Sequence, residues 1–192
     1  LAVSGGEDSV FMVDVLFKIK NILNFEIGIA HINHQIRKNS LNDELFVQNL
    51  AKKYNLPFFC IKLNLQNLNS NIESIARTER YNSLQQIADE NNYNKIATAH
   101  SQNDNIETFF IKLYRGTSIE GLEAINLIKN NIIRPILNIT TEEIYEYLKI
   151  NNLDYVFDES NDDTKFLRNY IRHNLIPNID IENYSIKTHI LN

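Results

Sequence analysis

A chain of 192 residues, 43% apolar and 22% charged, carries enough material for one domain with a real core and excludes a disordered chain. No apolar run reaches the length of a membrane-spanning helix, and the single cysteine, Cys60, excludes a disulfide framework. A net charge of −5 argues against a uniformly basic nucleic-acid coat but leaves room for a local basic patch.

These features point to a cytoplasmic protein without a membrane attachment. Cys60 sits in the apolar run Pro57-Phe58-Phe59-Cys60-Ile61, where a small core residue fits better than a nucleophile. The chain starts on Leu1 inside an apparent strand and stops after a weakly patterned tail, so it reads as a piece of a longer protein.

Residues 1–3 read as the end of a buried strand. Val10, Val13, Leu16, Phe17 and Ile19 then follow helical spacing. Between them lies Ser4-Gly5-Gly6-Glu7-Asp8-Ser9. A strand that enters a helix through such a turn leaves backbone N–H groups at the helix start without partners. Glycines let an anion approach the main chain, and Ser4 and Ser9 add hydroxyl donors, so the turn suits phosphate. It has no lysine of the Walker type. The alternative is an ordinary helix cap supplied by Ser9.

Residues 26–32 form a second strand, apolar on both faces, and residues 33–39 a polar loop. Ser40 caps a helix reaching Tyr54, residues 57–63 are a third strand, and residues 64–71 an Asn-rich loop. A helix over 72–92, a strand over 95–99, a helix over 104–114, a strand over 132–135 and a helix over 141–151 complete the pattern. This alternation predicts an α/β fold: a doubly wound, parallel five-stranded sheet with helices on both faces. Ligands of such sheets bind beyond the carboxyl ends of the strands, where strand order reverses. The loops after the first, second and fourth strands should therefore meet.

The residues in those loops fit a site. Alternation sets His31 and Asn33 on one side of the second strand's end, where they could read a base or ribose, or simply be a polar strand end. A zinc pair from His31 and His34 fits less well, since no cysteine or second close pair completes it. Asp104 and Glu107 share a face at a helix start, which favours their ionised forms. Beside a phosphate cradle they could hold Mg²⁺, grip an amine or take its proton; acids are also common in first turns for dipole reasons alone. Arg77 and Arg80, and Arg168 and Arg172, are arginine pairs at helical spacing, suited to phosphate or to surface ion pairs. Lys112, Tyr114 and Arg115 with Gly116 make a further basic turn.

Ser4-Gly5-Gly6-Glu7-Asp8-Ser9 resembles the S-G-G-x-D-S signature of the PP-loop ATP pyrophosphatases, an adenine nucleotide alpha hydrolase-like fold. Further motifs are similar to those of the bacterial tRNA(Ile)-lysidine synthetase family. They are His31-x-Asn33-His34-x-x-Arg37, Arg77-x-x-Arg80-Tyr81, Ala99-His100-x-x-Asn103-Asp104-x-x-Glu107-Thr108, Arg115-Gly116-Thr117, Arg134-Pro135-Ile136-Leu137, Asp158-Glu159-Ser160-Asn161 and Arg168-Asn169-x-Ile171-Arg172-His173. The commoner family form has an acid at Asn103 and often glycine at Gln35. The pattern runs over residues 1–177, which read as the catalytic domain, with 178–192 a short tail lacking the pattern of the family's further tRNA-gripping domains.

The resemblance implies that ATP adenylates O2 of the first anticodon cytidine of tRNA(Ile) with a CAU anticodon, releasing pyrophosphate. Free L-lysine then displaces AMP from C2 and changes the codon read from AUG to AUA. It implies ATP contacts from Ser4, Gly5, Gly6, Glu7, Asp8, Ser9, His31 and Asn33, with Asp8 placing Mg²⁺. Catalytic roles fall to Asp8, Arg80, Asp104, Glu107 and Arg172, and substrate contacts to Arg77, His100, Arg115 and Arg168; a homodimer is allowed. Two rival readings stand beside it: a PP-loop tRNA thiolase, which Cys60 alone serves poorly, and a truncated, inactive nucleotide- or RNA-binding remnant.

Overall fold

Short strands whose residues alternate between two apolar layers set the architecture. A computed structural model describes residues 1–35, 40–63, 72–157 and 167–179. Arg37, the loop 64–71, the Asp158-Glu159-Ser160-Asn161 motif and the tail from 180 lie outside the described residues. In chain order the elements are α1 (Glu7–Leu23), β1 (Ile29–Asn33), α2 (Ser40–Lys53), β2 (Phe58–Lys62), α3 (Ile72–Glu90), β3 (Ile96–Ala97) and α4 (Gln102–Tyr114). After a 3-10 turn at Ile119–Leu122 come β4 (Ile128–Lys129), β5 (Ile132–Ile133), α5 (Thr141–Ile150), α6 (Leu167–Tyr170), a π-helical turn Ile171–Leu175 and α7 (Ile176–Ile179).

Val3, Ile29 and Ala97 point into one core with Val10, Met12 and Val13 of α1, Val47 and Leu50 of α2, and Ile144 and Leu148 of α5. Their neighbours Ala30 and Ile96 point the other way, onto Leu84, Ile87 and Ala88 of α3. Period-two alternation thus buries both faces, and helices cover each of them.

In place of one continuous five-stranded parallel sheet, the described residues hold a two-stranded parallel sheet, β1–β2, and a three-stranded sheet ordered β3–β5–β4. Ala2 joins the two through single parallel bridges to Ala30 and Thr98. The reason is local. Only Ala2 lies in bridging geometry before Gly5, at φ 101, turns the chain into α1. The antiparallel β4, which periodicity missed, is two residues long and returns to β5 through a turn with Asn130 at φ 57.

Asparagine does work that glycine commonly does. Asn24, Asn55, Asn92 and Asn152 all adopt positive φ, each within two residues of the end of α1, α2, α3 or α5. Asn tolerates this left-handed region better than most side chains, so a chain with five glycines ends its helices on asparagines. On the back of α1, Asp14 is 5% exposed and accepts hydrogen bonds from Tyr54 (2.5 Å) and Tyr147 (2.6 Å) and a 2.8 Å ion pair from Lys18. Burial pushes its carboxyl up, but these bonds outweigh burial and hold it below the ordinary value. This network ties α1 to α5 and to the end of α2, fixing the angle at which α1 leaves the turn.

Candidate active site

The turn before α1 is braced from within. Gly5 N–H donates to Ser9 Oγ at 3.1 Å, Gly6 N–H to Ser4 Oγ at 3.3 Å, and Ser9 Oγ–H to Gly6 O at 2.9 Å. Val10 N–H donates to Gly6 O at 3.0 Å, which leaves the N–H groups of Glu7, Asp8 and Ser9 ahead of the helical ladder. Ser9 is thus a brace for the turn, and the helix start remains open to an anion. Gly5 is required twice over. Its φ of 101 lies in the left-handed region, and an added Cβ would sit 3.3 Å from both Phe46 Cδ1 and Val156 Cγ2. Gly5→Ala is expected to cost about 1–3 kcal/mol, read as a lowered thermal midpoint. An unchanged midpoint would mean that the turn relaxes freely.

Asp8 follows in the first turn of α1. Its Oδ1 is buried and has no hydrogen-bond partner. Burial, the carboxylates of Asp104, Glu7 and Glu107, and only partial relief from Arg172 push its carboxyl up to about 7. An orphaned carboxylate oxygen at a helix start open to an anion fits a divalent cation, whose charge would reverse that cost. Among the described residues no group of three or more His, Cys, Asp or Glu side chains is arranged to hold a metal. One carboxylate with phosphate oxygens is the manner in which Mg²⁺ is commonly held.

The helix that follows β3 supplies the opposite wall. Asp104 is the third residue of α4, and its Oδ2 accepts from Ser101 N–H at 3.0 Å and Ser101 Oγ at 3.4 Å, a capping box. One turn later Glu107 is 1% exposed. Arg172 grips it through both carboxylate oxygens, Nε to Oε1 at 2.6 Å and Nη2 to Oε2 at 3.2 Å, and Arg168 Nε lies 3.1 Å from Oε2. Arg168 also donates to Thr108 Oγ1 at 3.2 Å. The expectation that the helix start would favour an ionised Glu107 is corrected: burial dominates and raises its carboxyl, with Arg172 only offsetting part of the effect.

His100 is held by Thr98, whose Oγ1 lies 3.0 Å from His100 Nδ1. Burial, joined by the guanidinium groups of Arg134, Arg77 and Arg80 and opposed by Asp104, pushes the ring down to about 4. It is a neutral hydrogen-bonding group at pH 7. Arg77 and Arg80 both stand 5.3 Å from the ring of Tyr81. His31 is 5% exposed and its Nδ1 lies 2.8 Å from Val3 O, so it does lie against the turn. Asn33, at 2% exposed, spends its side chain on Ser40 O, on Glu44 Oε2 at 2.8 Å and on Gln35 N–H at 2.9 Å. Asn33 thus shapes the turn after β1, and Gln35 sits at φ 54, where the family often has glycine.

The structure brings Asp8, Asp104, Glu107 and Arg172 within mutual electrostatic reach and gathers His100 with Arg77, Arg80 and Asp104. It does not bring Arg115 to them. Arg115 is exposed at the far end of α4, roughly 16 Å along the helix from Asp104 at about 1.5 Å per residue. Sequence reasoning assigned no role to Arg134 or to Glu44 with its 3.1 Å partner Lys62. Arg134 stood in a quoted motif and could have been found there; nothing local marks Glu44.

A model of the ATP-binding PP-loop domain matches residues 1–179. The chain belongs to the PP-loop domain family. The PP-loop domain is 40% identical over 203 residues to a tRNA(Ile)-lysidine synthase of Pseudothermotoga lettingae, covering 98% of this chain and 44% of that protein. Against the tRNA(Ile)-lysidine synthase of Petrotoga mobilis the figures are 38% over 181 residues, 92% of this chain and 58% of the relative. The chain thus spans about half the length of the curated relatives it matches. Among solved structures, the U34-tRNA thiolase NcsA from Methanococcus maripaludis superposes with a TM-score of 0.78 at 17% identity, over 99% of this chain and 68% of that one. An NH3-dependent NAD synthetase from Campylobacter jejuni gives 0.53 at 18% identity, over 100% and 81%. These likenesses establish an adenine nucleotide alpha hydrolase-like α/β fold for the PP-loop domain. Among the described residues, no helix is long and apolar enough to cross a membrane.

Proposed function

We propose that this PP-loop domain is the catalytic part of a tRNA(Ile)-lysidine synthase, with residues 1–177 as the catalytic unit. It would use ATP to adenylate O2 of the first anticodon cytidine of tRNA(Ile) with a CAU anticodon and would then join free lysine to C2, releasing AMP. The observation that carries this reading is the convergence of Asp8, Asp104, Glu107 and Arg172 beside a glycine-serine turn without a lysine. The turn and the start of α1 receive the pyrophosphate moiety, which leaves the α-phosphorus open to attack by a nucleobase oxygen. Asp8 would hold Mg²⁺, which neutralises charge on the departing pyrophosphate when bound.

The cytosine oxygen is a poor leaving group until adenylated. The lysine amine, with an ordinary pKa of about 10.4, must shed a proton before it attacks. Asp104 and Glu107 bind that ammonium and accept its proton. A carboxyl raised by burial, as in Glu107, is a better proton acceptor than a surface carboxylate. Arg172 holds Glu107 in place, and Arg80 would stabilise charge on the phosphates or position lysine and the cytosine. The thiolase reading gains nothing from Cys60, which lies half-buried in β2 with its thiol pushed up by burial and so poor in thiolate.

The test is incubation of the chain with α-labelled ATP, lysine and the isoleucine tRNA. AMP, pyrophosphate and lysidine are the expected products; ADP and phosphate would overturn the reading.

A further inference from the structure

Arg134 stands one residue beyond β5. In the parallel register that pairs Ala97 with Ile133, it falls opposite Thr98, whose N–H donates to Ile133 O at 3.0 Å and whose hydroxyl holds His100. This is the carboxyl edge of β3 and β5, where α/β sheets bind ligands. Arg134 is 7% exposed, yet its guanidinium is poorly matched. One terminal nitrogen donates to Asn126 O, Nε is buried without any partner, and no carboxylate lies within ion-pair distance among the described residues. A guanidinium keeps its charge at every accessible pH, and burying it without a counterion is costly. Its charged company adds to the deficit, because Arg77 and Arg80 act on the same His100. Asp104 acts on His100 with the opposite sign, and Asp104 belongs to the acidic cluster with Asp8 and Glu107. Around His100 the site therefore passes from an acidic end to a cationic end.

We propose that Arg134, assisted by Arg77 and Arg80, is an oxyanion subsite that takes the α-carboxylate of the free amino acid, while Asp104 and Glu107 take its side-chain amine. This rests on the lysine-ligation reading above. Free lysine carries an ammonium at its side-chain end and, at its other end, a carboxylate beside the α-ammonium; the acidic and cationic groups here complement the side-chain ammonium and that carboxylate. An RNA phosphate has the same oxyanion chemistry, but proteins meet the RNA backbone from exposed surfaces, and Arg134 is enclosed. Arg134 is in this sense a specificity residue: it distinguishes an amino acid from a simple amine.

Calorimetric titration of the chain with lysine and with cadaverine, which is lysine without its carboxylate, tests this. The parent is expected to bind lysine about tenfold or more tighter than cadaverine, the worth of one charged hydrogen-bonded pair. Arg134→Met should bring lysine down to the level of cadaverine and leave cadaverine unchanged. Equal weakening of both ligands would make Arg134 a structural brace for the Asn126 carbonyl and overturn the subsite. A preserved lysine preference, together with a shallower salt dependence of tRNA binding, would assign the oxyanion to an RNA phosphate instead. If the methionine variant does not fold, Arg77→Gln on the exposed face of α3 carries the same comparison, with a partial loss of preference expected and full retention counting against the subsite. A parent that binds neither ligand would remove the ligation reading itself, a result distinct from any of these.

Discussion

Asp8→Asn is expected to raise the thermal midpoint of the ligand-free protein at pH 8 while abolishing adenylation. The Asp8 carboxyl moves from an ordinary value of 3.8 to about 7 in the folded chain. A carboxyl raised by folding binds its proton more tightly in the native state, so its contribution to stability is fully present below pH 3.8 and is lost as pH rises through about 7. That rise corresponds to about 4 kcal/mol, and partial exposure of the side chain reduces it to about 2–4 kcal/mol. Asparagine removes the charge and keeps the shape, so the stabilised variant should melt roughly 5–15 °C higher at pH 8. The gap should close as pH falls toward 4. Adenylation should drop on the order of a hundredfold or more, because the negative charge that suits Mg²⁺ is gone. Melting curves at pH 4 and pH 8, with AMP release measured alongside, check both halves. A midpoint lowered at pH 8 would mean that Asp8 has an undetected partner in the fold. Unchanged AMP release would reduce the turn to a helix cap.

Glu107→Gln is expected to stop lysine transfer while sparing ATP binding, with adenylated tRNA accumulating in single-turnover assays. Glu107 is 1% exposed and is the shared counterion of Arg172 and Arg168. Glutamine keeps the volume but removes the negative charge, leaving two guanidinium groups without it and an incoming ammonium with only Asp104. Breaking a buried pair in this way costs about 3–5 kcal/mol, which corresponds to roughly 10²–10³-fold or more in the transfer step. Two outcomes separate the chemical from the structural role. Loss of lysidine with adenylate retained assigns Glu107 to the amine. Parallel loss of adenylate and lysidine, with a lowered midpoint, makes Glu107 only an anchor for Arg172.

The sequence by itself determined the glycine-serine turn that leads into α1, the βα alternation and the types of residue at the strand ends. These are local properties. A glycine needed at φ 101, a strand whose alternate residues are apolar on both faces, and acids three apart at a helix start are set within a few neighbours along the chain. The asparagines that end α1, α2, α3 and α5 had a local cause too, since positive φ after a helix end is a preference of the residue itself.

Only the tertiary structure decided what those residues face. Glu107 meets Arg172 across 65 positions, and Asn33 is drawn to Glu44 instead of being left open at the strand end. Arg115 is carried to the far end of α4, and the expected five-stranded sheet becomes two sheets joined by Ala2. The buried, uncompensated charge of Arg134 and the raised carboxyl of Asp8 follow the same logic. Burial and the distance between charges control both, and both are fixed when distant segments pack together, so periodicity and spacing along the chain carry no trace of them.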